Sequence, residues 1–242
     1  MRGYYFQNAS FVIPTASDEF GHSFGGPIRH EGASPDGAGP LHLLYNLNLS
    51  DPRLGRKLKN SAWLPLYHPL AFDGGRLSYR VISETRIEIL DLRPHEYHLG
   101  WQYPEMTLSR DNVWVKDGPD YPEFFPQMPV KMESISYEDH KALLFRTVYL
   151  GARQPEPGGT ERKNEFVRIG GYFPHQRSEG YLTCPNSECR QQKTPAVMEP
   201  ITVIGNEPTP GCFLFSPNGS DVKVAFRICP HCEAIFTYNF SG

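Results

Sequence analysis

Large apolar residues alternate with polar ones in several short runs along this chain, which is typical of β-strands rather than helices. Residues Tyr4–Ile13 are rich in aromatic and β-branched side chains and are followed by Pro14, as a first strand would be. In Leu41–Leu49 the odd positions are large and apolar, while positions 42, 46 and 48 are polar. This second run predicts a strand with one buried face.

A β-hairpin is predicted in the next stretch of sequence. The runs Trp63–Phe72 and Arg76–Leu90 lie on either side of Asp73-Gly74-Gly75. Asp-Gly sequences readily adopt the positive φ angles of a tight hairpin turn. Val81 and Ile87 in the second run fit a pleated, partly buried surface. We therefore expect these two runs to pair with each other.

Three later segments have mixed patterns. Residues Trp101–Pro129 combine prolines with aromatic residues and predict irregular structure. Ser136–Asp139 offers a hydroxyl cap and an acidic first turn, which predicts a short helix over His140–Arg146. The run Leu144–Leu150 equally suits a strand. Gly151–Glu165 has almost no apolar side chain to bury and is expected to form an exposed loop.

Composition supports a mainly β fold with little helix. The 242-residue chain contains 22 glycines, 23 prolines and 13% aromatic residues, spread along its length. Proline interrupts helices and central strands, so this mixture indicates many short strands joined by turns. We expect an antiparallel β-rich domain over residues 1–178 and a zinc-ribbon β element over residues 179–242. The second element either stands alone or packs into the same core.

Four of the five cysteines form two close pairs that predict a metal site. Four residues separate Cys184 from Cys189, and two residues separate Cys229 from Cys232. Each pair can direct two thiolates from one tight turn toward the same ion, and two such turns complete the tetrahedron that Zn²⁺ prefers. The alternating run Val222–Ile228 before the second pair indicates the strand, knuckle and strand of a zinc ribbon. We predict one Zn²⁺ per chain.

This zinc is expected to be structural, because four thiolates fill the tetrahedron and leave no open position for a substrate. The alternatives are two disulfides, a redox pair at Cys229 and Cys232, or free thiols without a metal. Disulfides are disfavoured without a secretion signal, and a redox pair needs a thioredoxin-like context that the sequence lacks. The fifth cysteine, Cys212, is expected to be a small buried apolar residue rather than a ligand.

Two motifs resemble catalytic ones but lack the required context. Gly21–Gly25 fits the G-x-S-x-G nucleophile elbow around Ser23, yet that motif needs a strand before the serine and a helix after it. Here Gly26 and Pro27 follow at once, so a flexible turn is expected. His95–His98 is one residue short of the zincin motif and is expected to lie in a surface loop. No catalytic residue is predicted.

Charge and hydropathy narrow the range of partners. The 24 basic and 27 acidic residues give a net charge of −3, and from Gly180 onward there are four basic and five acidic residues. Nucleic-acid binding is therefore disfavoured, because phosphate neutralisation needs a basic surface.

No apolar run approaches the roughly 20 residues of a membrane helix. The first residues lack the apolar stretch of a signal peptide, so a cytoplasmic protein is expected.

Three segments together resemble the YwqG-like domain family, a bacterial group of largely uncharacterised function. They are Phe24-Gly25-Gly26-Pro27, Pro40–Leu49 and Ile169–Gln176, in the same order as in that family. The second segment is also similar to a strand of programmed-cell-death-2-like proteins. The chain departs from the family in having Asn46 where glutamine is usual, and in its cysteine pairs. The resemblance implies a β-rich fold and binding rather than catalysis, with toxin-neutralising immunity proteins and chaperone-like proteins among the relatives.

Three functional hypotheses follow from the sequence. The preferred one is a cytoplasmic zinc-containing module that binds a protein partner, of an immunity or chaperone-like type, with its contact surface in Trp101–Pro129. The first alternative is a hydrolase using Ser23 or a histidine-lined cleft, which a shifted pKa beside Ser23 would favour. The second alternative is a nucleic-acid-associated zinc ribbon, which would need a basic face around the metal.

Overall fold

The computed structural model describes residues 10–34, 41–70, 76–93, 124–136, 167–170, 184–190, 198–209, 212, 214–215 and 222–241. Within these ranges the chain is mostly β-strand, which confirms the predicted fold class. The strands are β1 (Ser10–Pro14), β2 (Ser23–Phe24), β3 (His42–Asn48), β4 (Trp63–His68), β5 (Arg76–Ser83), β6 (Arg86–Arg93), β7 (Met128–Ser134), β8 (Val167–Ile169), β9 (Glu199–Ile204), β10 (Val222–Ile228) and β11 (Ile235–Ser241). Helix in these ranges is limited to a 3₁₀ turn at Pro52–Leu54 and a short α-helix, α1, at Ser187–Arg190.

The strands follow one continuous order, β4-β3-β2-β7-β1-β8-β9-β10-β11-β5-β6, and all neighbours in it are antiparallel. Strand β7 joins two sheets, because Met128 and Pro129 pair with β2 while Val130–Ser134 pair with β1. In the larger sheet, β9 pairs with β8 and β11 pairs with β5. The predicted boundary between residues 178 and 179 lies outside the described residues and stays a prediction.

The predicted hairpin between residues 63–72 and 76–90 is wrong. Strand β4 pairs with β3, and residues 76–93 form a hairpin of their own in which β5 pairs with β6. Glu84 and Thr85 make the turn between these strands, and both are exposed. These two polar residues interrupt the apolar pattern of residues 76–90. The other edge of β5 pairs with β11. The run therefore contains two strands, and its partner outside the hairpin comes from the far end of the chain.

Strand β3 is buried on both faces, although its alternating pattern predicts one exposed face. All residues from His42 to Leu47 are buried. On one face Tyr45 packs against Phe24, with ring centroids 5.4 Å apart. A register shift between Leu43 and Tyr45 places these residues opposite Tyr67 and Leu66, which are adjacent in β4 and therefore lie on opposite faces. The polar side chains of β3 are thus placed in the core because neighbouring elements cover both of its faces.

Strand β4, at one end of the strand order, contacts β5 and β11 near the other end through side chains. The hydroxyl of Tyr79 on β5 donates a hydrogen bond to the carbonyl of Pro65 (2.6 Å) and accepts one from the N–H of Tyr67 (3.0 Å), both on β4. His68 Nδ1 on β4 lies 2.9 Å from Thr237 Oγ1 on β11. The Tyr79 hydroxyl thus gives backbone groups of β4 the partners that a further strand would supply.

We expect the substitution Gly25→Ala to lower the free energy of unfolding by about 1–3 kcal/mol. Gly25 has a φ of 66°, and an added Cβ would lie 2.5 Å from the carbonyl oxygen of Pro126. Left-handed backbone strain and a steric clash therefore act together. Urea denaturation measures the loss. Gly205→Ala is the matched control, because a Cβ at Gly205 meets no atom within 4 Å. Equal losses in the two variants would contradict this account.

Candidate metal centre

The four paired cysteines lie together at one end of β10 and β11. Cys229 and Cys232 lie in the turn between these strands, Cys184 precedes α1, and Cys189 lies within α1. Their sulfur atoms all lie within 4.8 Å of one another. Cys184, Cys189 and Cys229 are buried, and Cys232 is partly exposed. We call this group the four-cysteine cluster. It brings together the four residues that the spacing of the cysteines predicts as ligands.

The sulfur separations suit a tetrahedral metal site and are too long for disulfides. Cys184 Sγ lies 3.5 Å from Cys232 Sγ, and Cys189 Sγ lies 3.7 Å from Cys229 Sγ. A tetrahedron with metal–sulfur bonds of about 2.3 Å has sulfur–sulfur edges of about 3.8 Å, whereas a disulfide bond is about 2.05 Å long. All four cysteines are free thiols. The four-cysteine cluster could therefore hold a metal ion.

The second cysteine pair is held by a tight turn. The N–H of Cys229 donates to the carbonyl of Ala234 (2.9 Å), and the N–H of Glu233 donates to the carbonyl of Cys229 (3.0 Å). Glu233 adopts a left-handed conformation with a φ of 58°, which helps the chain reverse its direction after Cys232. The N–H of His231 lies 3.4 Å from Cys229 Sγ. The arrangement fits the predicted strand, knuckle and strand of a zinc ribbon.

The first cysteine pair is shaped by the buried residue Asn186. The side-chain oxygen of Asn186 accepts the N–H of Glu188 at 3.0 Å, which fixes the start of α1. The backbone N–H of Asn186 donates to Cys184 Sγ, and the N–H of Ala234 donates in the same way to Cys232 Sγ. Backbone donors of this kind stabilise a thiolate and orient it toward a bound cation.

Burial and hydrogen bonding shift the pKa values of three of these thiols in different directions. Burial raises the pKa of the Cys184 and Cys189 thiols above its usual value. Burial also acts to raise the pKa of Cys232, but the N–H of Ala234 and the neighbouring sulfurs outweigh it, so this pKa is lowered. A divalent cation would replace protons on the buried thiols, so metal affinity is expected to fall as the pH falls.

Contacts from distant parts of the chain surround the four-cysteine cluster. Its apolar surroundings are the buried side chains of Met198 and Ala234 and the partly buried side chains of Leu90 and Phe236. Arg56 Nη2 lies 3.1 Å from Glu199 Oε2, and the N–H of Lys59 donates to Glu233 Oε2 at 3.1 Å. Sequence reasoning missed Arg56 and Lys59, because each of these contacts joins positions more than 140 residues apart.

A cavity of about 280 Å³ lies beside the turn that holds the second cysteine pair. Arg56, Lys57, Glu199 and Glu233 supply its charged lining. Arg56 pairs with Glu199, and Glu233 accepts the backbone N–H of Lys59. Three of the four charged side chains are thus already engaged with other groups of the protein. We therefore do not assign this cavity as a binding site for a charged ligand.

Ser23 lies in β2, between β3 and β7, and not at a strand-to-helix turn. The residue is 3% exposed. The neighbouring His22 is not free to act as its base, because His22 Nε2 lies 2.9 Å from Asp51 Oδ2 and His22 Nδ1 accepts the N–H of Asn48 at 2.9 Å. The geometry of a nucleophile elbow is absent at Ser23. The flexible turn expected from the sequence is also wrong, since this residue belongs to a strand.

Other buried histidines of the described residues are built into the core. His30 Nδ1 lies 2.9 Å from the hydroxyl of Tyr67, and His68 pairs in register with His42 across β3 and β4. Burial lowers the pKa of both His30 and His68. These shifted pKa values arise from packing and do not mark a base beside Ser23. The histidines of His95–His98 lie outside the described residues.

Acid is expected to destabilise the protein through His68. Burial, with a smaller effect of His42, lowers the pKa of His68 from 6.5 to about 3. Between these two values the unfolded chain binds a proton that the folded chain does not, so stability falls as the pH decreases below 6.5. The expected loss between pH 7 and pH 5 is about 2 kcal/mol, at about 1.4 kcal/mol per pKa unit.

Urea denaturation of the parent protein and of His68→Gln at both pH values measures this slope. The two proteins carry the same cysteines, so their difference isolates His68 from any acid release of metal. The same slope in His68→Gln as in the parent would rule out His68 as the source.

Cys212 lies apart from the four-cysteine cluster. It is partly buried and packs against the main apolar core, and its N–H donates to the carbonyl of Thr209 at 3.0 Å. Burial raises the pKa of the Cys212 thiol. Cys212 is therefore a packed residue rather than a fifth ligand, as the sequence predicts, although it is less deeply buried than expected.

Two arginines near the four-cysteine cluster are paired with acidic residues. Arg56 pairs with Glu199, and Arg80 Nη2 lies 2.6 Å from Glu88 Oε2. Pairing of this kind removes the net positive charge that phosphate binding would use. These residues do not form the basic face that a nucleic-acid-associated ribbon would need.

Comparisons of the chain with protein-family models, with curated proteins and with solved structures gave no match. The resemblance to the YwqG-like domain family stays a prediction. Of its three segments, Phe24–Pro27 and most of Pro40–Leu49 belong to the described residues, whereas most of Ile169–Gln176 does not. Across the ranges that the structure describes, no helix has the length and apolar character needed to cross a membrane.

Proposed function

We propose that this chain is a cytoplasmic protein-binding module whose C-terminal strands are organised by one structural zinc ion. The observation that carries the proposal is the four-cysteine cluster, in which four sulfur atoms on two backbone turns lie within 4.8 Å of one another. Four thiolates complete the coordination of the ion, which suits a structural role. Thiolate ligands suit zinc or iron, and knuckle turns of this spacing favour zinc.

The surface at Phe124 supports the binding part of the proposal. The side chain of Phe124 is 43% exposed, whereas that of Phe125 is buried against Phe24 with ring centroids 5.6 Å apart. The N–H of Gly26 donates to the carbonyl of Phe125 at 2.8 Å. The backbone is thus anchored while Phe124 faces the solvent. Aromatic residues are enriched in binding hot spots, and Phe124 belongs to the aromatic segment that the sequence selects as a contact surface.

A protein partner fits the charges better than a nucleic acid does. The net charge is −3. Two arginines near the four-cysteine cluster, Arg56 and Arg80, are already engaged with Glu199 and Glu88. The family resemblance adds the class of partner, which is a toxin for an immunity-type protein or a client for a chaperone-like protein.

A photo-crosslinking amino acid at position 124 tests the proposed surface in extracts of the source cells. We expect a crosslink to a protein, and we expect Phe124→Ser to weaken capture of that protein about tenfold, which corresponds to about 1.4 kcal/mol. Lys59→Ala is the matched control, because Lys59 is exposed and adjoins the four-cysteine cluster. Salt-sensitive retention on DNA or RNA, lost in Lys59→Ala and kept in Phe124→Ser, would contradict the proposal and support the nucleic-acid alternative.

A further inference from the structure

We infer that the four-cysteine cluster responds to peroxide, and that oxidation replaces the bound metal with two disulfides that link its two cysteine turns. One disulfide joins Cys184 to Cys232 and the other joins Cys189 to Cys229. This inference rests on the proposed function, since it takes the four-cysteine cluster to be loaded with metal. A zinc site with a purely structural role needs no such response to oxidation.

Solvent exposure determines which of the four sulfur atoms reacts first with peroxide. Cys184 and Cys229 are 0% exposed and Cys189 is 2% exposed, whereas Cys232 is partly exposed. A small oxidant arriving from the solvent therefore meets Cys232 Sγ before the other three sulfurs. The thiolate is the reactive form of cysteine, and metal coordination holds the sulfur in that form.

Two short sulfur contacts join the two cysteine turns, and each of them can close as a disulfide. Cys184 Sγ lies 3.5 Å from Cys232 Sγ, and Cys189 Sγ lies 3.7 Å from Cys229 Sγ. Each of these contacts joins the segment 184–190 to the turn at residues 229–234. A movement of roughly 1.5 Å brings either pair to the disulfide bond length of about 2.05 Å. Oxidation along these contacts links the two turns to each other instead of closing a disulfide within either turn.

The chemistry balances with hydrogen peroxide as the oxidant. The Cys232 thiolate attacks one peroxide oxygen, so that an S–O bond forms, the O–O bond breaks and hydroxide leaves. The Cys184 thiolate then attacks the sulfenic sulfur, so that the S–S bond forms, the S–O bond breaks and a second hydroxide leaves. The two sulfurs lose two electrons, and the peroxide becomes two water molecules after protonation. The metal has then lost two of its four ligands and dissociates.

The remaining pair completes the exchange. Cys189 and Cys229 no longer share a cation, and a second peroxide molecule converts the two thiols into a disulfide through a sulfenic acid, with two water molecules as the other products. Both cross-links join the same two parts of the chain that the metal joined. The oxidised protein therefore keeps its C-terminal strands in place after the metal leaves, whereas removal of the metal from the reduced protein frees the two turns from each other.

The test uses the full chain with Cys212→Ser, so that the fifth thiol cannot exchange with the new disulfides. Metal content is measured first, and hydrogen peroxide is then added in steps. We expect the first equivalent of peroxide to release the metal and the second to complete the loss of four thiols, since each disulfide takes one peroxide. Peptide mapping should find the Cys184–Cys232 and Cys189–Cys229 pairs. The oxidised protein should resist proteolysis where the chelated protein is cut, and dithiothreitol with Zn²⁺ should restore the metal.

Three results would overturn the inference: disulfides within each turn, sulfinic or sulfonic acids as the main products, or full metal retention in excess peroxide. Each of them leaves the metal centre itself intact as a proposal, because metal content is measured before oxidation. Protein that is purified without any metal would instead contradict the proposed zinc site, and the peroxide response with it.

Discussion

Replacing Cys229 with serine is expected to remove the bound zinc and to unfold the strands that carry the centre. Binding energies of about 10–16 kcal/mol are typical of structural zinc in small peptides at neutral pH. The whole stability of a domain is only about 5–15 kcal/mol. Cys229 is buried, its sulfur lies 3.7 Å from that of Cys189, and the same sulfur accepts the N–H of His231 at 3.4 Å. Three thiolates leave an incomplete tetrahedron, so the variant should behave like chelated parent protein.

Elemental analysis and limited proteolysis measure these effects together. The parent should hold about one zinc per chain, and the variant should hold none and be cut between residues 184 and 241. Cys212→Ser is the matched control, because Cys212 is a cysteine outside the four-cysteine cluster and should keep both the zinc and the resistance to protease. If Cys229→Ser retains zinc, or digests like the parent, the site is not the one proposed.

Hydrogen exchange on the same variant also tests the predicted division at residues 178 and 179. Strand β9 pairs with β8, and β11 pairs with β5, so loss of β9–β11 removes hydrogen-bond partners from the rest of the larger sheet. Continued protection of β3 and β4 in the variant would support a separate N-terminal core. Simultaneous loss of protection in both parts would show that they form one cooperative unit.

The second large effect is expected for Tyr79→Phe. This change removes one oxygen atom, yet it takes away the partners of two backbone groups on β4, the carbonyl of Pro65 and the N–H of Tyr67. Tyr79 is fully buried, so water does not replace them. A buried polar group without a partner costs about 1–3 kcal/mol, which predicts a loss of roughly 2–6 kcal/mol in the free energy of unfolding. Urea denaturation monitored by tryptophan fluorescence measures it.

Tyr45→Phe is the matched control for this prediction. Tyr45 is also fully buried, but within the described residues its hydroxyl makes one long hydrogen bond, of 3.4 Å, to the carbonyl of Pro208. A bond of this length contributes little, so its loss should cost at most about 1 kcal/mol. A similar loss in the two variants would mean that the hydroxyl of Tyr79 does not secure β4.

Features encoded by neighbouring residues could be predicted from the sequence. The cysteine pairs and the alternating pattern before Cys229 depend on spacings of a few residues. The alternating pattern predicts a β-rich fold, and the cysteine pairs predict the four residues of the four-cysteine cluster. The strand at Leu41–Leu49 is likewise visible in its local pattern. The local pattern does not predict that His42 and Asn46 are buried, because the residues that cover them come from other parts of the chain.

Pairings between distant strands explain the errors. An Asp-Gly turn signal near residue 73 suggests that its flanks pair, but the outer partner of β5 is β11, far beyond any local window. The contacts of Arg56 and Lys59 with the region of the four-cysteine cluster are hidden for the same reason. Ser23 shows the opposite case, in which a short motif is present and the surrounding sheet gives it a different conformation.

The pairing of β5 with β11 sets an order of events while the chain is being made. Tyr79 lies opposite Ile235 in the sheet, so the ribosome must add about 150 residues after β5 before its partner exists. At about 5–20 residues per second this takes roughly 8–30 s. During that time β5 has one unpaired edge, which is the kind of edge that recruits other chains into aggregates. The larger sheet should therefore form completely only after β11 and the cysteine turn before it emerge, and nascent chains should need the most protection just before that point.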